Sequence, residues 1–181
     1  MADHLASIFG TERDKVNCSF YYKIGACRHG EKCSRKHVKP QYSQSVLLPN
    51  MYLNPANDPH CGLTPQQLQA HFDLFYEDMW IELALQYGPI EEMIVCDNIG
   101  DHLMGNVYVR FEREDDAGRA VEDLNRRWYA GKPVFAELSP VTEFRESCCK
   151  QNEQGECNRG GYCNCMHFNK PTRQLKEELL M

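Results

Sequence analysis

Four residues with zinc-ligand chemistry occur in the order Cys18-x8-Cys27-x5-Cys33-x3-His37, and the order returns near the other end of the chain as Cys149-x7-Cys157-x5-Cys163-x3-His167. Three thiolates and an imidazole complete a tetrahedral zinc shell, and a short loop-rich segment can fold around such an ion without a core of its own. The repeat predicts two structural zinc ions per chain. Both shells are filled by protein, so no position is left for the water that a zinc hydrolase activates. Cys148 would give the second set the x8 spacing of the first, and spacing alone leaves Cys148 and Cys149 both open. Cys61, Cys96 and Cys165 have no partner at ligand spacing and read as buried or free thiols.

The surroundings of these sets point to a ligand. Phe20, Tyr21 and Tyr22 interleave with Lys23, Arg28, Lys32, Arg35 and Lys36, and Tyr162 and Phe168 with Arg159 and Lys170. Rings that stack on unpaired bases, beside cations that meet phosphates, suit single-stranded RNA. The net charge of −6 argues weakly against nucleic acid, but it hides an asymmetry. Residues 11–40 hold 8 Lys/Arg against 3 Asp/Glu, whereas 41–140 hold 6 against 16. A basic module therefore precedes an acidic one. No apolar run approaches the roughly 20 residues of a membrane span. The start of the chain lacks the pattern of a signal peptide, which predicts a cytosolic or nuclear setting where ten cysteines serve metals rather than disulfides. No glycine-rich phosphate loop, nucleophile motif or acid/base pair appears, so the chain reads as a non-enzyme.

Between the two sets lie the elements that must position them. Met104–Phe111 alternates as a half-buried strand and follows the octamer of RNA-recognition domains at Gly105, Tyr108, Val109 and Phe111. Asn106 replaces an aromatic residue that stacks on a base, Met104 a cation, and in the companion strand Val46–Met51 Leu47 replaces the second ring. Thr64, Pro65 and Gln67 predict a capped helix running to about Gln86 and stopped by Gly88 and Pro89. Leu68, Phe72, Phe75, Met79 and Leu83 should face a sheet, leaving Asp73, Glu77, Asp78 and Glu82 outside. A strand over Ile90–Asp97, a turn over Asp97–Asp101, a helix from Glu114 with Ala117, Ala120, Val121 and Leu124 buried, a loop over Arg126–Gly131 and a last strand over Pro133–Leu138 complete the order β-α-β-β-α-β. The expected class is α+β, ferredoxin-like, with two helices on one face of a four-stranded sheet. The plan is an N-terminal segment (1–15) whose Leu5, Ile8 and Phe9 could dock on a neighbour, a first finger (16–40), the sheet domain (41–140), a second finger (141–170) and a C-terminal amphipathic helix (171–181) with Leu175, Leu179 and Leu180.

From LASIFGTERDKVNCSFYYKIGACRHG through CDNIGDHLMGNVYVRFE to AELSPVTEFRESCC and MHF, the chain resembles the small subunits of the U-two snRNP auxiliary factor, the nuclear heterodimer that marks the 3′ ends of introns. The resemblance implies an atypical recognition motif that binds protein, and two CCCH fingers that read the AG dinucleotide of the 3′ splice site in pre-mRNA. It implies Cys149 as the ligand. It also implies that Arg127-Trp128-Tyr129, where the family usually has Phe at the third position, joins the acidic helix with Glu77, Asp78 and Glu82 to hold a tryptophan-bearing peptide of the large subunit. Phe20, Arg28, Ser34 and Arg35 in the first finger and Arg145, Lys150 and Gln151 around the second are the candidate RNA contacts. CCCH fingers also occur in regulators that bind AU-rich messages, usually as closely linked pairs, and a structural adaptor without RNA is a third reading.

Overall fold

The computed structural model describes residues 16–181; the cluster of Leu5, Ile8 and Phe9 lies outside them. A short helix α1 (Ser19–Ile24) leads to strand β1 (Ser45–Leu48), and the long helix α2 (Pro65–Tyr87) to β2 (Ile90–Cys96). Then come β3 (Val107–Phe111), α3 (Glu114–Leu124), β4 (Trp128–Tyr129), β5 (Lys132–Pro133) and β6 (Glu137–Leu138). Two single turns, α4 (Phe144–Ser147) and α5 (Lys150–Glu153), precede β7 (Phe168–Asn169) and α6 (Arg173–Leu179).

The start of α2 is fixed by a reciprocal cap. The Gln67 N–H donates to Thr64 Oγ1 at 3.2 Å, and the Thr64 N–H donates to Gln67 Oε1 at 2.9 Å. The helix ends at Gly88, whose φ of +142° disfavours a side chain and where a Cβ would lie 2.5 Å from the Asp116 carboxylate. Phe72, Phe75, Tyr76, Met79, Trp80, Leu83 and Tyr87 are buried along it, while Leu68 is only half-buried.

All pairings in the main sheet are antiparallel, in the order β6-β1-β3-β2-β7. The first four strands have the ferredoxin-like order; β7, contributed by the second metal-ligand segment, is a fifth strand that extends the edge of β2. The predicted last strand is divided. Lys132–Pro133 turns back on Trp128–Tyr129 as a hairpin, and only Glu137–Leu138 pairs with β1. The predicted loop over Arg126–Gly131 thus contains β4 and a turn with Ala130 and Gly131 at positive φ.

Alternation puts Val46, Leu48, Met93, Val95, Val107, Val109 and Phe111 on the helix side, in the main core with α2 and α3. The opposite face carries Leu47, Ile94, Cys96 and Tyr108, and these are buried as well. Gly105 allows the turn into β3. Its φ is +66°, and a Cβ there would lie 2.0 Å from the Tyr52 carbonyl oxygen, so the octamer glycine is required by the chain's own backbone.

Candidate functional site

The Cys3His sets converge. Ligand atoms of Cys18, Cys27, Cys33 and His37 lie within 4.8 Å of one another, as do those of Cys149, Cys157, Cys163 and His167. The Nε2 atoms of His37 and His167 are buried without a hydrogen-bond partner among the described residues. A buried imidazole nitrogen left unpaired is costly unless it meets an electrophile, and three adjacent thiols make zinc the fitting ion. The two modules share backbone detail. The Cys18 and Cys149 N–H groups donate to the carbonyls of Lys36 and Met166, and 3-10 turns at Gly30–Lys32 and Gly160–Tyr162 precede the third cysteine in each. Cys148 stands outside its cluster; burial pushes its thiol up to about 12, the state of a neutral packed side chain.

Although alike, the modules dock on the sheet by different faces. The first uses the end of α1: Ile24 is buried, Gly25 lies so close that a Cβ would be 2.8 Å from the Tyr108 ring, and the Tyr108 hydroxyl donates to the Ile24 carbonyl at 2.8 Å. The second uses its Cys163–Phe168 strip. Met166 is fully buried and β7 joins the sheet. The Asn98 amide donates to the carbonyls of Cys163 and Cys165 at 3.1 and 3.0 Å, while its oxygen accepts from the His167 N–H at 2.8 Å. Val141 and Phe144 fill the remainder of this core. Arg110 holds the start of the second finger by stacking over Phe144, pairing with Glu91 at 2.8 Å and donating to the Thr142 carbonyl. The modules also touch each other, since Ser147 Oγ donates to the Lys23 carbonyl. The face on which a standard recognition motif stacks bases is therefore covered by protein.

The candidate RNA residues remain outside this contact. Phe20 is 47% exposed, and Arg28, Ser34, Arg35, Arg145, Lys150 and Gln151 are exposed. Two other aromatic side chains are placed differently from the sequence expectation. Tyr21 is buried with its ring stacked on His37 at 4.6 Å, and Phe168 is half-buried in β7.

On the helix side, Met51, Tyr52, Leu53, His71, Leu74, Phe75, Glu77, Asp78, Ile81, Tyr129 and Ala130 line an open groove of about 730 Å³. Its outer wall is a partly apolar stripe along α2, with Leu74 and Ile81 exposed beside the predicted acids. The Tyr129 hydroxyl donates to Asp78 Oδ2 at 3.0 Å, which joins the β4–β5 hairpin to α2. Glu82 and Arg127 are not in the groove wall. Arg127 donates to Glu82 Oε1 at 2.5 Å and to the Tyr87 hydroxyl at 3.2 Å, so this pair anchors the hairpin and leaves Glu77 and Asp78 as the acids at the groove. Trp128 projects on its own, 70% exposed.

Residues 14–39 match the zinc-finger family of C-x8-C-x5-C-x3-H type, and residues 80–134 match the RNA recognition motif. The splicing factor U2AF 23 kDa subunit of Schizosaccharomyces pombe is 62% identical over 182 residues, covering 100% of this chain and 84% of that protein. The chain belongs to the U2AF small-subunit family. The U2AF 26 kDa subunit of Rattus norvegicus is 60% identical over 99% of this chain and 84% of its own length, and the U2af 38 kDa subunit of Drosophila melanogaster is 56% identical over 99% and 71%.

As a member of the U2AF small-subunit family, the protein is a splicing factor that combines CCCH fingers with an RNA recognition motif, both RNA-binding and non-enzymatic families. Its cofactor is zinc, with one Cys3His set for each of two ions. Sequence reasoning missed Asn98, Tyr108 and Arg110 as the residues that seat the fingers. Tyr108 was visible as a retained octamer ring, but nothing local marks Asn98, whose partners lie 65 to 69 residues away.

Metal content separates the two adjacent thiols. Cys148→Ser is expected to retain two zinc ions by native mass spectrometry, whereas Cys149→Ser loses one and the second module unfolds locally, because the metal supplies most of such a module's folding free energy. A single zinc in Cys148→Ser would reverse the ligand assignment.

Proposed function

We propose that this chain recognises the AG dinucleotide at the 3′ splice site of pre-mRNA through both fingers together, and pairs with the large U2AF subunit through the helix-side groove, within the nucleus. The observation that carries this reading is the burial of the sheet's second face under two fingers that touch each other. With no sheet surface left for bases, RNA is directed to what the fingers expose. Phe20 offers a ring; Arg28, Arg35, Arg145 and Lys150 offer cations; Ser34 and Gln151 offer hydrogen bonds. Because the modules dock by different faces, they present non-equivalent surfaces to one strand, as reading two different adjacent bases requires.

The groove on the other side suits a peptide with an aromatic anchor. An indole would meet Tyr52, Phe75, Ile81 and Tyr129, with Glu77 and Asp78 placed for basic neighbours in the same peptide. Glu82 and Arg127 act by holding the hairpin in position. Trp128, free on the far side of that hairpin, is suited to enter the partner in return.

Two measurements test the halves separately. Fluorescence anisotropy with a UAG-containing oligonucleotide and its UCG counterpart should show preference for the first, and Phe20→Ala should weaken it by about 1–3 kcal/mol. Equal binding of both oligonucleotides, or preference for an AU-rich sequence over both, would remove AG recognition. In titration calorimetry with the large subunit's tryptophan-bearing peptide, Trp128→Ala should weaken binding by about 2 kcal/mol or more. Unchanged affinity in a folded variant would remove the proposed interface.

A further inference from the structure

We propose that the 3-10 turn of the second finger carries a base-stacking subsite, formed by Tyr162 with Arg159, that takes one further unpaired nucleotide of the bound RNA flanking the AG. This rests on the RNA reading given above and extends its footprint.

The two modules supply the comparison. Counting back from the third cysteine, Lys32, Glu31, Gly30 and His29 of the first finger correspond to Tyr162, Gly161, Gly160 and Arg159 of the second. The backbones agree, with φ of 51° at Gly30 and 53° at Gly160 and a 3-10 turn beginning at each. An exposed lysine occupies the position in one module that a tyrosine occupies in the other, so neither metal binding nor the turn requires a ring there. The ring is not packed either. Tyr162 is 73% exposed, against 47% for Phe20 and 36% for Tyr22 in the first finger.

The turn beneath this ring is held firmly. The Gly161 carbonyl accepts from the N–H groups of Ile99 and Gly100 at 2.8 and 3.2 Å, and a Cβ on Gly161 would lie 2.4 Å from the Ile99 side chain. The first finger has Glu31 at this point, so only the second turn is pressed onto the sheet domain. A ring fixed to a rigid backbone loses little further freedom when a base stacks on it.

The turn is also continuous with the proposed RNA surface. Arg159, exposed at the start of the turn, donates to Gln151 Oε1 at 2.9 Å, and Gln151 is itself a candidate RNA contact. Gln151, Arg159 and Tyr162 thus form one strip, with a hydrogen-bonding amide, a planar cation and a ring. Single-stranded nucleic acid is the ligand that uses these three together, through base edge, phosphate and base face.

The test uses the zinc-loaded full chain and oligonucleotides that carry UAG with three nucleotides on each side, intact or with one abasic position placed in turn at each flanking site. Wild type is expected to lose roughly 5- to 150-fold in affinity at one flanking site when its base is removed. Tyr162→Ala, and Tyr162→Lys, which restores the residue found in the first finger, should bind the intact oligonucleotide more weakly by a similar factor and become indifferent to that abasic site. Tyr162→Phe should behave as wild type. Unchanged affinity of Tyr162→Ala for the intact oligonucleotide overturns the subsite; so does weaker binding in which sensitivity to every abasic site persists. The UAG-to-UCG ratio of wild type reports the AG reading independently. If that ratio is one while the Tyr162 dependence holds, the AG reading fails and the stacking subsite stands.

Discussion

A sheet that is apolar on both faces cannot leave either in water. Here α2 and α3 cover one face, and the other presents Leu47, Ile94, Cys96 and Tyr108, of which Leu47 and Ile94 alone would cost roughly 1.5–3 kcal/mol each if exposed. The zinc fingers have the complementary problem. Their metal holds a small fold together, but they have almost no core of their own. Ile24 from one finger and Phe144 and Met166 from the other complete the second core of the sheet domain. Each part supplies what the other lacks, and the relative placement of the fingers follows from it.

The consequence is a division of labour between two faces of one sheet domain. On one side the retained octamer tyrosine is a docking residue, its hydroxyl bound to the Ile24 carbonyl. Arg110, at the octamer position where any residue is allowed, is likewise taken up by Glu91, Thr142 and the Phe144 ring. On the other side the groove beside α2 is open. The two regions meet in one short segment: Pro49 and Asn50 line a cleft beside the first finger, while Met51, Tyr52 and Leu53 line the groove. Asn50 has a φ of 51°, and its side chain donates to the carbonyls of Asp101 and Met104, so this junction is pinned to the turn that precedes β3.

What was legible in the sequence was local or periodic. The Thr64–Gln67 cap, the stop at Gly88, the alternation in β3 and the two ligand sets each lie within a stretch of 20 residues or fewer, and each is set by backbone chemistry or metal geometry. The absence of stacking rings at Leu47 and Asn106 was also visible, but its reason was not. That reason is tertiary: the face is covered, and Asn106 is buried, its amide donating to the His102 carbonyl and its oxygen accepting from the Asn50 N–H. β4 falls inside the segment that reads as a loop because its strand has only two residues, and β5 takes Pro133 from the expected last strand. β7 has no sequence signal of its own, since its two residues, Phe168 and Asn169, directly follow a metal ligand. The Glu82–Arg127 pair spans 45 residues, so nothing local marks that these two charges meet each other.

The central claim is that RNA meets the docked fingers and not the sheet. Ultraviolet crosslinking of the zinc-loaded chain to a UAG-containing oligonucleotide, followed by mass spectrometry of the crosslinked peptides, tests it most directly. Crosslinks confined to residues 18–37 and 145–167 are predicted, with none on the peptides that hold Leu47 or Tyr108. Crosslinks at Leu47 or Tyr108 would mean that the fingers leave the sheet when RNA binds, and would contradict the claim.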